Sequence, residues 1–128
     1  MNPINSQRSL VVDVTYKCNA SCKYCQWGDH ANQTHEHQPP EAVLLSWETL
    51  RLMGTERVVV SGGEPLLRQD LEKLVEHYHR LQLKSIVTIT NGILFSLRRL
   101  KSLVGAGLTG VTFSLDAVDP KVLKESRS

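Results

Sequence analysis

Apolar and polar positions along the chain fall into blocks whose period switches between strand and helix. Leu10 to Thr15, Leu-Val-Val-Asp-Val-Thr, is a β-branched run with polar flanks, which predicts a strand. Its nearly continuous apolar character predicts cover on both faces, as in a parallel sheet. Gln26 to Pro40 is polar, holds His30, His35 and His37 and ends in Pro39-Pro40. It reads as a surface loop. Ser46 suits the N-cap of a helix with Trp47, Leu50 and Met53 at apolar spacing, ended by Gly54. Glu41 to Leu45 offers an earlier start for the same helix. Arg57 to Val60 predicts a second strand.

Asp70 stands as N-cap of a helix to about Leu81, with Leu71, Leu74, Val75, Tyr78 and Leu81 in one stripe. His77 and His79 on that helix are expected to face solvent. Ser85 to Thr90 is a third strand, closed by the Asn91-Gly92 turn signal. Ser96 to Val104 predicts a helix with Leu97, Leu100, Leu103 and Val104 inward, stopped by Gly105 and Gly107. The run Arg98-Arg99-Leu100-Lys101 then reads as its solvated face with one inward leucine. Gly110 to Leu115 is a fourth strand, and Asp119-Pro120 opens a last helix. Asp13 lies within an apolar strand and receives no role.

Alternation of strands and helices calls for an α/β fold with a parallel sheet. Parallel strands all enter from one side, so the segments that follow them share one face, where (β/α) barrels place their chemistry. Four marked segments follow the four strands. They are a cysteine loop at 16–26, Gly62-Gly63-Glu64, Thr90-Asn91-Gly92 and Ser114-Leu115-Asp116. Their convergence predicts a site without reference to any relative.

Composition narrows the classes. The 128 residues suffice for one domain with a core. A net charge of +2 gives no argument for nucleic acid. No apolar run approaches membrane-span length, and the opening Met-Asn-Pro-Ile-Asn-Ser-Gln-Arg has no apolar signal region. All three cysteines, Cys18, Cys22 and Cys25, fall in one C-x3-C-x2-C loop. That clustering speaks against a disulfide framework and for a reducing cytoplasm. Three thiolates can converge on one metal centre. On an iron–sulfur cubane they leave one iron open, where four cysteines would close it. The same cysteines also suit a structural zinc site completed by His30, His35 or His37.

A glycine motif further along favours the first of these. C-x3-C-x2-C with Tyr24 before its last cysteine, followed one βα unit later by Ser61-Gly62-Gly63-Glu64-Pro65, resembles the radical S-adenosylmethionine (SAM) enzymes. The resemblance runs over nearly the whole chain. It implies the parallel (βα)4 portion of a partial (β/α)6 TIM-like barrel, with a [4Fe-4S] cluster on Cys18, Cys22 and Cys25. The open iron would take the amino and carboxylate groups of SAM. Gly62 and Gly63, without Cβ atoms, would let backbone approach the SAM amino group, and Glu64 would add a suitable negative charge. Tyr24 matches the aromatic position whose backbone meets the adenine. Ser114 and Asp116 match the ribose-binding pair, and Asn91 would line the same mouth. The implied chemistry is reductive SAM cleavage to a 5′-deoxyadenosyl radical that abstracts hydrogen from a substrate. An electron donor such as a flavodoxin or ferredoxin is implied as partner.

Val-Thr-Tyr-Lys-Cys-Asn, Ser-Gly-Gly-Glu-Pro-Leu-Leu-Arg, Thr-Asn-Gly and Ser-Leu-Asp look like the branch with cyclic pyranopterin synthase and peptide-maturation enzymes. These motifs serve the cofactor and leave the substrate open. Family cores have about six βα units, against eight in the closed barrel, and four strands are found here. This predicts an unpaired outer edge on the fourth strand and an inner sheet face left partly uncovered. It also predicts a chain that holds cluster and SAM but turns over little substrate alone. Such a chain would be a fragment, a truncated product or a half completed by a partner chain. A non-catalytic zinc module and a degenerate paralogue that binds partners through its open edge are the rival readings.

Overall fold

The computed structural model describes residues 8–17 and 37–114. Four strands form one sheet in the order β1-β2-β3-β4, with every neighbouring pair parallel. They are β1 (Ser9–Asp13), β2 (Arg57–Ser61), β3 (Ser85–Thr90) and β4 (Gly110–Phe113). Between them lie α1 (Pro40–Val43), α2 (Trp47–Leu52), α3 (Leu71–Arg80) and α4 (Leu97–Ala106), with a single 3-10 turn at Pro65–Leu67. The expected α/β order is therefore present, and strand β3 has the predicted bounds. The expected helix at Asp119-Pro120 lies outside the described residues.

Side chains alternate across a strand, and the register sorts them cleanly. Val12, Val58, Val60, Ile86 and Thr88 share one face. Leu71, Leu74, Val75 and Tyr78 of α3 and Leu103 of α4 bury against it in one core cluster. Val43 of α1 and Leu50 of α2 join the same cluster. The opposite face carries Val11, Asp13, Val59, Ser61 and Ile89. Val87 lies on it too and is 7% exposed, whereas Val11 is 58% exposed, and among the described residues the helix members of the core cluster pack on the other side. The expectation that β1 is covered on both faces is thus corrected. An apolar run shows what a strand can bury, but cover needs a second layer of elements. Among the described residues the inner face is left partly uncovered, most of all at Val11, as four strands in place of a full barrel predict.

Local chemistry explains most boundaries. Ser46 caps α2 by accepting the Thr49 N–H at 3.1 Å, and Ser96 caps α4 by accepting the Arg99 N–H at 3.1 Å. Residues 40–43 form a helix of their own, separate from α2. Asp70 stands at the N-cap of α3 but its side chain makes no cap bond. Its carboxylate instead takes both forks of Arg68 at 2.7 and 2.8 Å. The paired, charge-assisted bond outcompetes a single backbone N–H. Gly105 stays inside α4, and Gly107 ends the helix.

Three helix faces also differ from expectation. Trp47 is 55% exposed and Met53 is exposed too, so six-residue α2 buries only Leu50. Trp47 lies under the Arg51 guanidinium, 5.2 Å from it. Leu97 is 64% exposed and Val104 is exposed, while Leu103 carries the packing of α4. Arg99 occupies part of the inward space. It pairs with Glu72 and donates to the carbonyls of Leu66 at 3.2 Å and Arg68 at 2.7 Å. The Arg98–Lys101 run is therefore not a uniform solvated face. His77 is not solvent-facing either, because its Nε2 lies 2.7 Å from the Leu45 carbonyl. Buried Tyr78 donates to the Val43 carbonyl and accepts the Leu45 N–H at 3.3 Å. Burial pushes its phenol up from the usual value. Together these two side chains anchor the α1–α2 connection on α3.

Candidate cofactor site

The chain leaves β1 through Val14, Thr15, Tyr16 and Lys17, the residue before Cys18. It leaves β2 through the glycine pair. These two exits are laced together by backbone bonds. Val14 N–H donates to Ser61 O at 3.0 Å, Gly63 N–H to Thr15 O at 2.8 Å and Glu64 N–H to Lys17 O at 2.7 Å. A Cβ on Gly62 would stand 2.2 Å from Thr15 O, and one on Gly63 would stand 2.1 Å from Lys17 O. Gly62 also has φ +134°, in the region that favours glycine. In the sequence the missing Cβ atoms imply room for a ligand. The structure fills that room with the β1 exit itself. The glycines are required because two backbones meet there, and no side chain fits between them.

Glu64 is fully buried. Its carboxylate accepts Thr90 Oγ1 at 2.5 and 2.9 Å and the Asn91 N–H at 2.9 Å. It therefore ties the β2 exit to the β3 exit. Thr90 O then accepts the Ser114 N–H at 2.9 Å, which brings in the β4 exit. The Asn91 side chain accepts the Ile93 N–H at 2.9 Å in a local turn. Four strand exits are thus connected in one lattice at the carboxyl end of the sheet. Gly62, Gly63, Glu64, Asn91 and Ser114 all lie on it. Cys18, Cys22, Tyr24, Cys25 and Asp116 lie outside the described residues. Among the described residues, no three His, Cys, Asp or Glu side chains gather to hold a metal ion.

Four further residues take part, Thr15, His37, Thr90 and Arg68, and their pairings are not visible in the sequence. Thr15 Oγ1 accepts the Lys17 N–H at 3.0 Å and lies 2.6 Å from His37 Nδ1. His37 and Thr15 form an antiparallel bridge, and Gln38 N–H donates to Val14 O at 3.0 Å. Burial first, then the positive charges of Lys17 and Arg68, hold the His37 imidazole below its usual pKa despite the opposing pull of Asp70. Thr90, which ends the third strand and opens the marked Thr90-Asn91-Gly92 segment, orients Glu64. Arg68 ends the Ser-Gly-Gly-Glu-Pro-Leu-Leu-Arg run, a position whose charge beside Asp70 was its only visible cue.

The residues present fit an iron–sulfur cluster and SAM. Soft thiolates are the donors such a cluster needs. The Gly62-Gly63 turn keeps acceptors: among the described residues no backbone N–H donates to the carbonyls of Gly62 or Gly63. Those oxygens suit an ammonium group.

Comparison with known proteins agrees. Two relatives named "Probable GTP 3′,8-cyclase" from Methanocaldococcus jannaschii and "GTP 3′,8-cyclase" from Staphylococcus epidermidis are 36% and 34% identical to this chain. Each alignment covers 92% of this chain, but only 39% and 36% of the respective relative. The chain thus spans under half the length of these curated relatives. Among solved structures, Streptococcus suis SuiB bound to S-adenosylmethionine matches with a TM-score of 0.75 at 22% identity, over 93% of this chain and 27% of SuiB. HydG, a maturase of the [FeFe]-hydrogenase, matches with 0.75 at 16% identity, over 93% and 28%. These structures share the fold, a portion of a TIM-barrel-like sheet. The profile of the Radical SAM superfamily matches residues 12–128, so the chain belongs to that superfamily, a family of enzymes that use a [4Fe-4S] cluster and S-adenosylmethionine.

Proposed function

We propose that residues 1–128 are the first four βα units of a radical SAM core. Cys18, Cys22 and Cys25 hold the [4Fe-4S] cluster, and SAM lies over the Gly62-Gly63 turn. When bound, the cluster, reduced by the electron donor, would supply one electron to the SAM sulfonium, giving methionine and a 5′-deoxyadenosyl radical that abstracts hydrogen from substrate. The protein's part is to place and shield the cofactor. The carbonyls of Gly62 and Gly63 accept the SAM ammonium. Buried Glu64 fixes the turn and adds a negative charge beneath it. Backbone at Tyr24 meets the adenine, Ser114 and Asp116 take the ribose hydroxyls, and Asn91 lines the mouth. The observation that carries this reading is the backbone lacing of Gly63 and Glu64 to Thr15 and Lys17. It sets the ammonium-binding turn beside the residue that precedes the first cysteine.

The partners that go with this reading are an electron donor of flavodoxin or ferredoxin type and, across the open sheet edge, a completing chain. The compartment is the reducing cytoplasm. The 36% and 34% identical GTP 3′,8-cyclases favour a guanine nucleotide as the substrate of the whole activity.

Anaerobic reconstitution with iron and sulfide, reduction, and EPR before and after SAM test the cofactor reading. A [4Fe-4S]+ signal that changes on adding SAM is expected. Zinc bound without acid-labile sulfide would overturn the reading in favour of a zinc module. Cluster loading with no SAM response would favour an interaction paralogue. GTP-dependent release of 5′-deoxyadenosine tests the substrate class.

A further inference from the structure

Arg68 is 2% exposed, and its guanidinium meets the lacing of the strand exits at the Val14 carbonyl. It sits behind that lattice, at the ends of the segment that carries the cysteines. Its Nη1 donates to Val14 O at 2.8 Å and to Gln38 O at 2.5 Å. Val14 precedes Cys18, and Gln38 follows the segment on its return. One guanidinium nitrogen thus holds both feet of the cysteine loop. The remaining forks, Nε and Nη2, grip Asp70 at the start of α3 at 2.7 and 2.8 Å. Arg68 is itself held from behind, since Arg99 of α4 donates to its carbonyl at 2.7 Å. The feet also hold each other through Gln38 N–H to Val14 O at 3.0 Å and through Thr15 with His37.

We infer that Arg68 is a positioning residue for the three cysteines. It pins both feet of their loop to the core through α3 and so sets where the cluster stands relative to the glycine turn. Its consequence for the cluster rests on the cofactor reading proposed above. The chemistry is specific to arginine. A planar fork can serve two carbonyls and one carboxylate at once, and lysine, a single point donor, cannot. Removing the buried guanidinium would also take from the Val14 and Gln38 carbonyls the donor they share. Fixing the ends of a loop removes much of the freedom its interior would otherwise keep.

The test compares the full chain with R68K and R68Q. Hydrogen exchange on the cluster-free chain is read at the Gln38 amide, which bonds Val14 O, and at β3 core amides as reference. In R68K, Gln38 exchange is expected to rise by about tenfold or more, the scale of one charge-assisted bond. The β3 amides are expected to change by less than about twofold, because their ladder bonds are untouched. Reconstituted R68K should still take up iron and sulfide, with a smaller EPR response to SAM than the parent chain. R68Q should lose both uptake and response. Unchanged Gln38 exchange in R68K overturns the inference, and this arm decides even if R68Q does not fold. A parent chain that takes up no iron and sulfide fails the cofactor reading instead. In that case the exchange result alone still shows whether Arg68 holds the feet.

Discussion

Gly63 is the residue where one added carbon has the greatest effect. Its Cβ would meet backbone at 2.1 Å, and backbone cannot rotate away as a side chain can. Gly63→Ala is expected to destabilise the fold by about 1–3 kcal/mol, the usual scale for forced backbone strain, and to weaken the EPR response to SAM. Urea unfolding and titration of the reconstituted protein with SAM measure both. Two titratable side chains give a second prediction. The hydrogen bond from Arg68 holds the Asp70 carboxyl below its ordinary value of 3.8. Its stabilising contribution is complete above that value and is lost as pH falls through the lowered one. His37 is held below 6.5, chiefly by burial. The native state thus favours neutral imidazole, and stability is lost as pH falls from 6.5 through the lowered value. Unfolding midpoints should decline on acidification in two steps. D70N removes the lower step and H37A the upper one. Neither residue advertised this in the sequence: Asp70 read as a helix cap and His37 as a loop histidine.

At the scale of elements, α4 is the clearest test of pattern against packing. Leu97, Leu100, Leu103 and Val104 fit one helical stripe, but only Leu103 is fully buried. Arg99 reaches across to the carbonyls of Leu66 and Arg68 and takes part of the inward space. Leu103→Ala is therefore expected to cost about 2–5 kcal/mol, whereas Leu97→Ala should stay within about 0.5 kcal/mol. Chemical denaturation of the two variants side by side decides the face. The α1–α2 connection gives a further case. Tyr78→Phe removes the bond to the Val43 carbonyl and the acceptor for the Leu45 N–H. A loss of about 1–3 kcal/mol is expected, since buried polar groups are left unmet. The stripe on α3 was legible, with Leu71, Leu74, Val75 and Tyr78 all buried. Ten residues at helical period constrain a face more tightly than the six of α2.

For the whole molecule, the open sheet decides behaviour. Among the described residues, β1 and β4 are edges, Val11 and Phe113 are exposed, and the face bearing Val11 and Val59 has no helix layer. Open edges and apolar faces recruit other chains. The chain is expected to self-associate at micromolar concentration, and the double variant V11D/T112K to shift it toward monomer. Sedimentation velocity on both proteins measures this. No described helix is long and apolar enough to cross a membrane.

The sequence alone determined the strands, their parallel sense and the end of the sheet where the motifs gather. Those features depend on residue period, turn residues and the one-sided geometry of βα units, all of which are local. Only the tertiary structure decided what the polar groups at that end do. Arg68 finds Val14 across 54 positions, and Glu64 finds Thr90 across 26. No local pattern encodes such pairings, because they are chosen by which strands become neighbours. The same holds for the glycine pair. Its two missing side chains are visible in the sequence, but only the fold shows that the β1 exit, and with it the approach to Cys18, takes their place.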